Sequence, residues 1–120
     1  MSHLKSLSVA LCMIAAVPGS ALAHAELIKS EPAADGTLAA GAKEILFTYD
    51  EEIQPAACKL TTSDGKDVAN LGKPHAEGVV LHIPIAKMLP AGRYSVACRV
   101  VGPDSHPINS SVAFVLSDAK

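Results

Sequence analysis

Residues 93–101 read RYSVACRVV, and Tyr94, Val96, Cys98 and Val100 stand at every second position of this run. Successive side chains of a β-strand point to opposite faces of the sheet, so this spacing places the four residues on one face. Aromatic and β-branched residues also favour strands. We therefore predict a strand here, with these four side chains forming its buried face.

Six other short stretches have a strand-like composition. They are residues 25–30, 44–50, 57–62, 67–71, 78–85 and 110–116. Turn-forming residues separate them, as in the SDGK sequence of residues 63–66, and no stretch has a convincing helical pattern. The chain is therefore predicted to be all-β, an immunoglobulin-like Greek-key sandwich or barrel of about seven strands. We expect Leu60, Val112 and Phe114 to face residues 93–101 across its core.

The first 23 residues have the order of a secretory signal. A basic start at Lys5 precedes an apolar run, residues 7–17, and an Ala-Leu-Ala sequence ends at Ala23. The apolar run is shorter than the roughly 20 residues that a membrane-spanning helix needs. We expect cleavage after Ala23, export to the periplasm without stable membrane insertion, and a mature domain of residues 24–120.

The composition of this mature part argues against several classes of partner. It carries 12 acidic and 9 basic residues, a net charge of −3, and has no basic patch that would attract nucleic acid or a membrane surface. Two phenylalanines, two tyrosines and no tryptophan are too few for a carbohydrate platform or a base-stacking surface.

Two cysteines remain once Cys12 has left with the signal. Cys58 and Cys98 are an even pair in an oxidising compartment, and each alternates with a charged neighbour in a strand-like context. We predict a disulfide with Cα atoms about 4.4–6.8 Å apart. The alternative is two small buried side chains that never meet.

His24 would be the first residue of the mature protein. Its free α-amine and its imidazole Nδ1 can then close a six-membered chelate ring around one metal ion. Any residue can follow a cleavage site, so His24 alone is a weak indication of metal binding.

The second indication is the sequence PDSHP at residues 103–107, between the last two predicted strands. Asp104 and His106 are two positions apart, so both can face the same way in extended backbone. Asp104 can ligate a metal or can orient the imidazole, and a solvated turn is the alternative. One amine, two imidazoles and a carboxylate favour Cu(II), whereas Cu(I) prefers several thioethers and the mature chain has only Met88.

Two further histidines carry a weaker signal. His82 lies inside the predicted strand of residues 78–85 and is expected to be structural or simply exposed. His75 lies in a polar segment, residues 72–78, that is expected to be a loop, and could be at most a weak extra ligand.

Several segments of the mature chain resemble the CopC-type periplasmic copper-resistance domain. They are the His24-Ala25 start, residues 30–36, residues 46–53, the Pro-x-Gly-x-Tyr sequence of residues 90–94, and residues 99–101 followed by Asp104-Ser105-His106-Pro107. The resemblance implies a seven-stranded barrel-like sandwich that holds Cu(II) through the amine and imidazole of His24 and through His106, with Asp104 close to the metal.

This sequence departs from the family pattern at three places. Ser105 stands where the family usually has glycine, and Cys98 stands where an aromatic residue, commonly tryptophan, is usual. Some members carry a methionine-rich Cu(I) loop, and the corresponding residues 68–78 contain no methionine.

The leading functional expectation is a non-enzymatic, monomeric protein that binds one Cu(II) per chain at His24, Asp104 and His106. It would sequester or carry copper for homeostasis or resistance, with a membrane copper transporter or another periplasmic copper protein as its partner. One alternative is an oxidative polysaccharide-cleaving enzyme, which also uses an N-terminal histidine brace, although this chain is small and lacks an aromatic substrate surface. The other is an interaction module in which His24 and His106 lie far apart.

Overall fold

The computed structural model describes residues 25–117 of the chain. These residues form nine strands: β1 (Leu27–Glu31), β2 (Gly36–Leu38), β3 (Glu44–Tyr49), β4 (Gln54–Thr62), β5 (Asp67–Val68), β6 (His75–Glu77), β7 (Val80–Pro84), β8 (Gly92–Val101) and β9 (Pro107–Leu116). Across residues 25–117 no helix is long and apolar enough to span a membrane.

The strands are arranged in two sheets. The four-stranded sheet has the order β1-β3-β7-β6 and is antiparallel throughout. The five-stranded sheet has the order β2-β9-β8-β4-β5, and only its β2–β9 pair is parallel. Hairpin neighbours such as β8 and β9 alternate with neighbours that are distant in the chain, such as β3 and β7. The prediction of an all-β Greek-key sandwich is confirmed.

The hydrophobic core lies between the two sheets. The four alternating residues of β8 are all buried, which confirms the predicted phase of this strand. The predicted partners across the core were wrong, because β4, β8 and β9 are neighbours in one sheet and Leu60, Val112 and Phe114 therefore lie beside β8. The buried residues contributed by the other sheet include Ile45, Phe47, Tyr49, Leu81 and Ile83.

Two of the observed strands were not predicted from the sequence. β2 and β6 have three residues each and lie at sheet edges, where β2 pairs with β9 and β6 pairs with β7. Such short strands take their conformation from the ladder with a neighbour, and three residues are too few to show an alternation. The prediction that His75 lies in a loop was therefore wrong, because it is the first residue of β6.

A disulfide joins Cys58 of β4 to Cys98 of β8, as predicted. The two residues are direct partners in the antiparallel ladder. Their Cα atoms are 4.0 Å apart, closer than the predicted 4.4–6.8 Å. Direct opposition explains the short distance, since the closer type of antiparallel pair already brings Cα atoms to about 4.5 Å. Residues 25–117 hold no other cysteine.

Residues 1–24 and 118–120 lie outside the described part of the chain. The signal segment of residues 1–23, its cleavage after Ala23 and the ligand His24 therefore stay predictions. The domain boundary at residue 24 stays a prediction for the same reason.

Candidate metal centre

The loop that carries Asp104 and His106 closes the longest hairpin of the fold. β8 and β9 pair along their full lengths, and their last pair is Val101 with Pro107. Five residues, Gly102 to His106, connect them. The Ser105 N–H donates a hydrogen bond to the Gly102 carbonyl at 3.0 Å, and the Gly102 N–H donates to the His106 carbonyl at 3.5 Å. The two longest strands of the five-stranded sheet and the loop's own hydrogen bonds thus hold these two side chains.

Asp104 contacts His106 through both carboxylate oxygens. Oδ1 accepts a hydrogen bond from the backbone N–H of His106 at 3.1 Å, and Oδ2 lies 3.1 Å from Nδ1 of the imidazole. The bond from a side chain to the backbone two residues later is an Asx-type turn, which aspartate favours. Asp104 is 18% exposed and His106 is 65% exposed. The carboxylate therefore orients the imidazole, whose ring reaches the surface.

Ser105 adopts a left-handed backbone conformation, with φ of 68°. This conformation is strained for most residues and unstrained for glycine. The glycine that is usual here in the family that the sequence resembles would fit this position without strain. Serine adopts this conformation at some energetic cost.

The first described residue, Ala25, lies against the base of this loop. Ala25 is 1% exposed. A Cβ added to Gly102 would lie 3.3 Å from the Cβ of Ala25 and 3.5 Å from its backbone nitrogen. A side chain at position 102 would thus be crowded by Ala25, and Ala25 lies directly beside the Asp104–His106 loop.

The neighbouring residue Glu26 fastens this entry point to the other sheet. Its N–H donates to Oδ1 of Asp50 at 2.7 Å, and the Asp50 N–H donates to the Glu26 carbonyl at 3.0 Å. Asp50 directly follows β3. The backbone at residues 25–26 is therefore held from both sides, by Gly102 and by Asp50.

The structure brings Asp104 and His106 together, as their spacing predicts, while their role as metal ligands stays a prediction. His24, the third predicted ligand, lies outside the described residues. His75 and His82 lie elsewhere, as a cross-strand pair of β6 and β7 in the four-stranded sheet. The pairing of these two histidines was missed, and the signal for it was Gly78-Val79. A two-residue turn beginning with glycine indicates a hairpin, and it places residue 82 opposite residue 75.

The family model of the CopC domain matches residues 27–117, which span the whole sandwich described above. The chain belongs to the CopC family. It is 31% identical over 125 aligned positions to Copper resistance protein C of Xanthomonas campestris pv. juglandis, covering 95% of this chain and 98% of that protein. It is 33% identical over 113 positions to Copper resistance protein C of Escherichia coli, covering 87% of this chain and 90% of that protein.

Solved structures agree with this membership. The crystal structure of PcoC, a methionine-rich copper resistance protein from Escherichia coli, matches with a TM-score of 0.64 at 31% identity, covering 79% of this chain and 100% of that one. The crystal structure of CopC from Methylosinus trichosporium OB3b has a TM-score of 0.68 at 23% identity, covering 81% of this chain and 97% of that one. The match to the Methylosinus trichosporium structure shows a similarity of fold alone.

Proposed function

We propose that the mature chain is a periplasmic, non-enzymatic protein that binds one Cu(II) ion and sequesters or carries it for copper homeostasis or resistance. The ligands are the α-amine and Nδ1 of His24 together with the imidazole of His106, which Asp104 orients. The observation that carries this proposal is the Asp104–His106 pair next to the buried Ala25.

The Asp104–His106 contact supports a metal-binding role for the imidazole. Histidines that ligate metals generally present their second ring nitrogen to a carboxylate or a carbonyl, which fixes the tautomer and the ring orientation. Here the carboxylate faces Nδ1, so we assign Nε2 of His106 to the metal. Asp104 also brings a negative charge that balances a divalent cation.

The position of Ala25 supports the proposal that His24 supplies the other ligands of the copper ion. Consecutive Cα atoms are about 3.8 Å apart, so residue 24 is tied by one peptide unit to a residue that contacts Gly102. The loop holding His106 begins at the same Gly102. Covalent geometry therefore keeps the α-amine of a chain that starts at His24 in the neighbourhood of the loop.

The donor set favours Cu(II) over Cu(I). Three nitrogens suit tetragonal Cu(II), whereas Cu(I) prefers thiolates and thioethers. Both cysteines of residues 25–117 are consumed by the disulfide. Met88 is the one methionine in that range and is 83% exposed, so it has no second thioether beside it.

The names of the relatives support a role in copper handling, because two are copper resistance proteins. Under this proposal the monomeric protein receives copper outside the cytoplasm and passes it to a membrane copper transporter or another periplasmic copper protein. A site that reaches the surface at His106 suits such a transfer, since a partner's ligands can approach the ion.

A Cu(II) titration of protein exported and purified with its native N-terminus tests the ligand set. Electron paramagnetic resonance of the first equivalent should show nitrogen-rich tetragonal Cu(II). His106→Ala should remove one nitrogen and much of the affinity. Asp104→Asn should keep the nitrogens and weaken binding about ten- to hundredfold, the range for partners of metal ligands. His75→Ala is the control and should leave the first equivalent unchanged. Equal losses of Cu(II) affinity in His75→Ala and His106→Ala would refute the placement of the copper site at the His106 loop.

The oxidative-enzyme alternative predicts a different outcome from the same samples. An enzyme with a histidine brace would generate peroxide from oxygen and a reductant in proportion to bound copper. We expect the copper-loaded protein to produce no more peroxide than the same amount of copper bound to the His106→Ala variant. Copper-dependent turnover that is lost in His106→Ala would support the enzyme instead.

A further inference from the structure

A second group of histidines and glutamates lies on the outer face of the four-stranded sheet. His75 of β6 and His82 of β7 are direct cross-strand partners, and their rings stack with centroids 4.8 Å apart and planes 2° from parallel. Glu77 is two residues after His75 and therefore lies on the same face of β6. The core residues of β7 are its other alternating pair, Leu81 and Ile83. The cluster thus points away from the core, toward solvent.

The donor atoms of these three side chains already lie close to one another. One ligand atom from each of His75, Glu77 and His82 falls within 4.8 Å of the others. Nε2 of His82 is 2.9 Å from Oε1 of Glu77. Ligand atoms about 2.0–2.1 Å from a tetrahedral Zn²⁺ lie roughly 3.3 Å from each other. The donor atoms that are up to 4.8 Å apart must therefore move closer together when a metal binds. His75 and Glu77 are exposed, so their side chains can make this movement by changing rotamer.

A fourth residue orients the histidine that is held most firmly. The side chain of His82 is 21% exposed, and its Nδ1 lies 3.3 and 3.2 Å from the two carboxylate oxygens of Glu44 on β3. Glu44 is placed there by the β3–β7 register, in which it is the partner of Pro84. A carboxylate on one imidazole nitrogen presents the other nitrogen to a metal. For His82 that other nitrogen is Nε2, the atom beside Glu77.

Ion pairing of His82 with two glutamates explains only part of this arrangement. It accounts for the contacts of Glu44 and Glu77 with the two ring nitrogens. It does not involve His75, whose ring stacks on that of His82. The two carboxylates of Glu44 and Glu77 supply negative charge that attracts a divalent cation.

We propose that His75, Glu77 and His82 form a second metal site, with Glu44 as the positioning residue of His82. Two imidazoles and one carboxylate are the protein ligands of several three-ligand zinc sites, which leave a position open to water. The site takes a divalent transition-metal ion that imidazole and carboxylate suit, Zn²⁺ or Cu²⁺. It is separate from the loop of Asp104, which joins two strands of the other sheet, and it does not depend on cleavage at His24.

Zn²⁺ titration against a chromogenic chelator tests this site in the exported protein. The His106→Ala background, exported with one extra alanine before His24, lacks both the loop imidazole and the free-amine chelate, so the second site is measured there on its own. In that background one Zn²⁺ should bind, and His75→Gln or Glu77→Gln should each weaken binding at least tenfold. Glu44→Gln should weaken it about tenfold, the lower end for a partner of a metal ligand. Glu31→Gln removes an exposed carboxylate from β1 of the same sheet and is the control, expected to change the affinity less than twofold.

Two further measurements make the result decisive. In the His106→Ala background, the imidazole nitrogen resonances of His75 and His82 should shift together when one equivalent of Zn²⁺ is added. The thermal midpoint of unfolding should rise with Zn²⁺ in this background, but not when His75→Gln is added to it. The proposal is overturned if His75→Gln and Glu77→Gln bind Zn²⁺ as tightly as Glu31→Gln, or if His106→Ala alone abolishes Zn²⁺ binding. Failure of the N-terminal copper site would leave the Zn²⁺ result in the His106→Ala background unchanged.

Discussion

Ala25 packs directly against Gly102, so closely that a methyl group on the glycine would lie 3.3 Å from the alanine Cβ. This contact joins the two parts of the proposed copper site. One is the segment Ala25-Glu26, held by the Asp50 backbone and side chain, and the other is the loop in which Asp104 orients His106. Under this proposal we expect Gly102, which touches no metal, to influence the geometry of the site.

Gly102→Ala should therefore lower Cu(II) affinity without removing a ligand. Overpacking of this kind usually raises the energy by about 1–3 kcal/mol. If Ala25 moves away to relieve this crowding, the Cu(II) affinity should fall by roughly fivefold to a hundredfold. The measurement is a Cu(II) competition titration of the exported variant.

Gly72→Ala is the matched control for this experiment. A Cβ at Gly72 would lie 3.2 Å from the Cβ of Pro84, so the crowding is similar but falls on the other sheet. We expect Gly72→Ala to lower the free energy of unfolding by a similar amount and to leave Cu(II) affinity unchanged. Equal Cu(II) affinities of Gly102→Ala and the parent protein would argue against a site that spans this contact.

The Cys58–Cys98 disulfide closes a loop with a sequence separation of 40 residues. Chain entropy predicts that this cross-link contributes about 4 kcal/mol to the free energy of unfolding. Replacing both cysteines by alanine should remove about that amount, measured by denaturant titration. Replacing the hydrogen-bonded cross-strand pair Ser95 and Ser111 by alanine, as the control, should remove about 1 kcal/mol or less. Two free thiols in unreduced, denatured protein would contradict the bridge.

Tyr49 is buried in the core, and burial raises its pKa above the ordinary 10.0, while its side-chain hydrogen bond with the Ser110 hydroxyl acts in the opposite direction. The folded chain thus keeps this proton at a pH where the unfolded chain releases it. Stability should be unaffected by Tyr49 below about pH 10 and should fall as pH rises from there to the folded pKa. Ultraviolet titration of Tyr94→Phe, which leaves Tyr49 as the one tyrosine, should give a midpoint above 10.0. A midpoint equal to that of the denatured protein would show that the ring is not buried.

Each of the seven stretches predicted from the sequence overlaps an observed strand, and β2 and β6 are the two strands without a prediction. In β8 the alternation of Tyr94, Val96, Cys98 and Val100 was sufficient to place all four in the core. It could not show which strands are neighbours, because pairing such as β3 with β7 depends on contacts between distant segments. The three-residue strands β2 and β6 are too short to show an alternation of their own, and β6 has only an indirect signal, the Gly78-Val79 turn that joins it to β7.

The two candidate sites differ in how far the sequence revealed them. Asp104 and His106 are two residues apart in one loop, so local spacing was enough to predict their contact. The contact between His75 and His82 required the register of the β6–β7 hairpin, and the approach of Glu44 required the β3–β7 register as well. The contact between the two histidines could be inferred from the turn Gly78-Val79, whereas no local pattern indicates the approach of Glu44.

The most direct test of the copper proposal concerns the α-amine of His24. That nitrogen can bind only after the bond to Ala23 is cut, because an amide nitrogen is a poor ligand unless it is deprotonated. Cu(II) competition titrations at pH 7 should compare protein starting at His24 with protein that has one extra alanine before it. A third form with one alanine added after Lys120 controls for the extra residue. We predict that the form starting at His24 and the control bind alike, and that the extended form binds at least about a hundredfold more weakly, equivalent to about 2.8 kcal/mol. Equal affinities of all three forms would show that the amine is not a ligand and would contradict the proposed site.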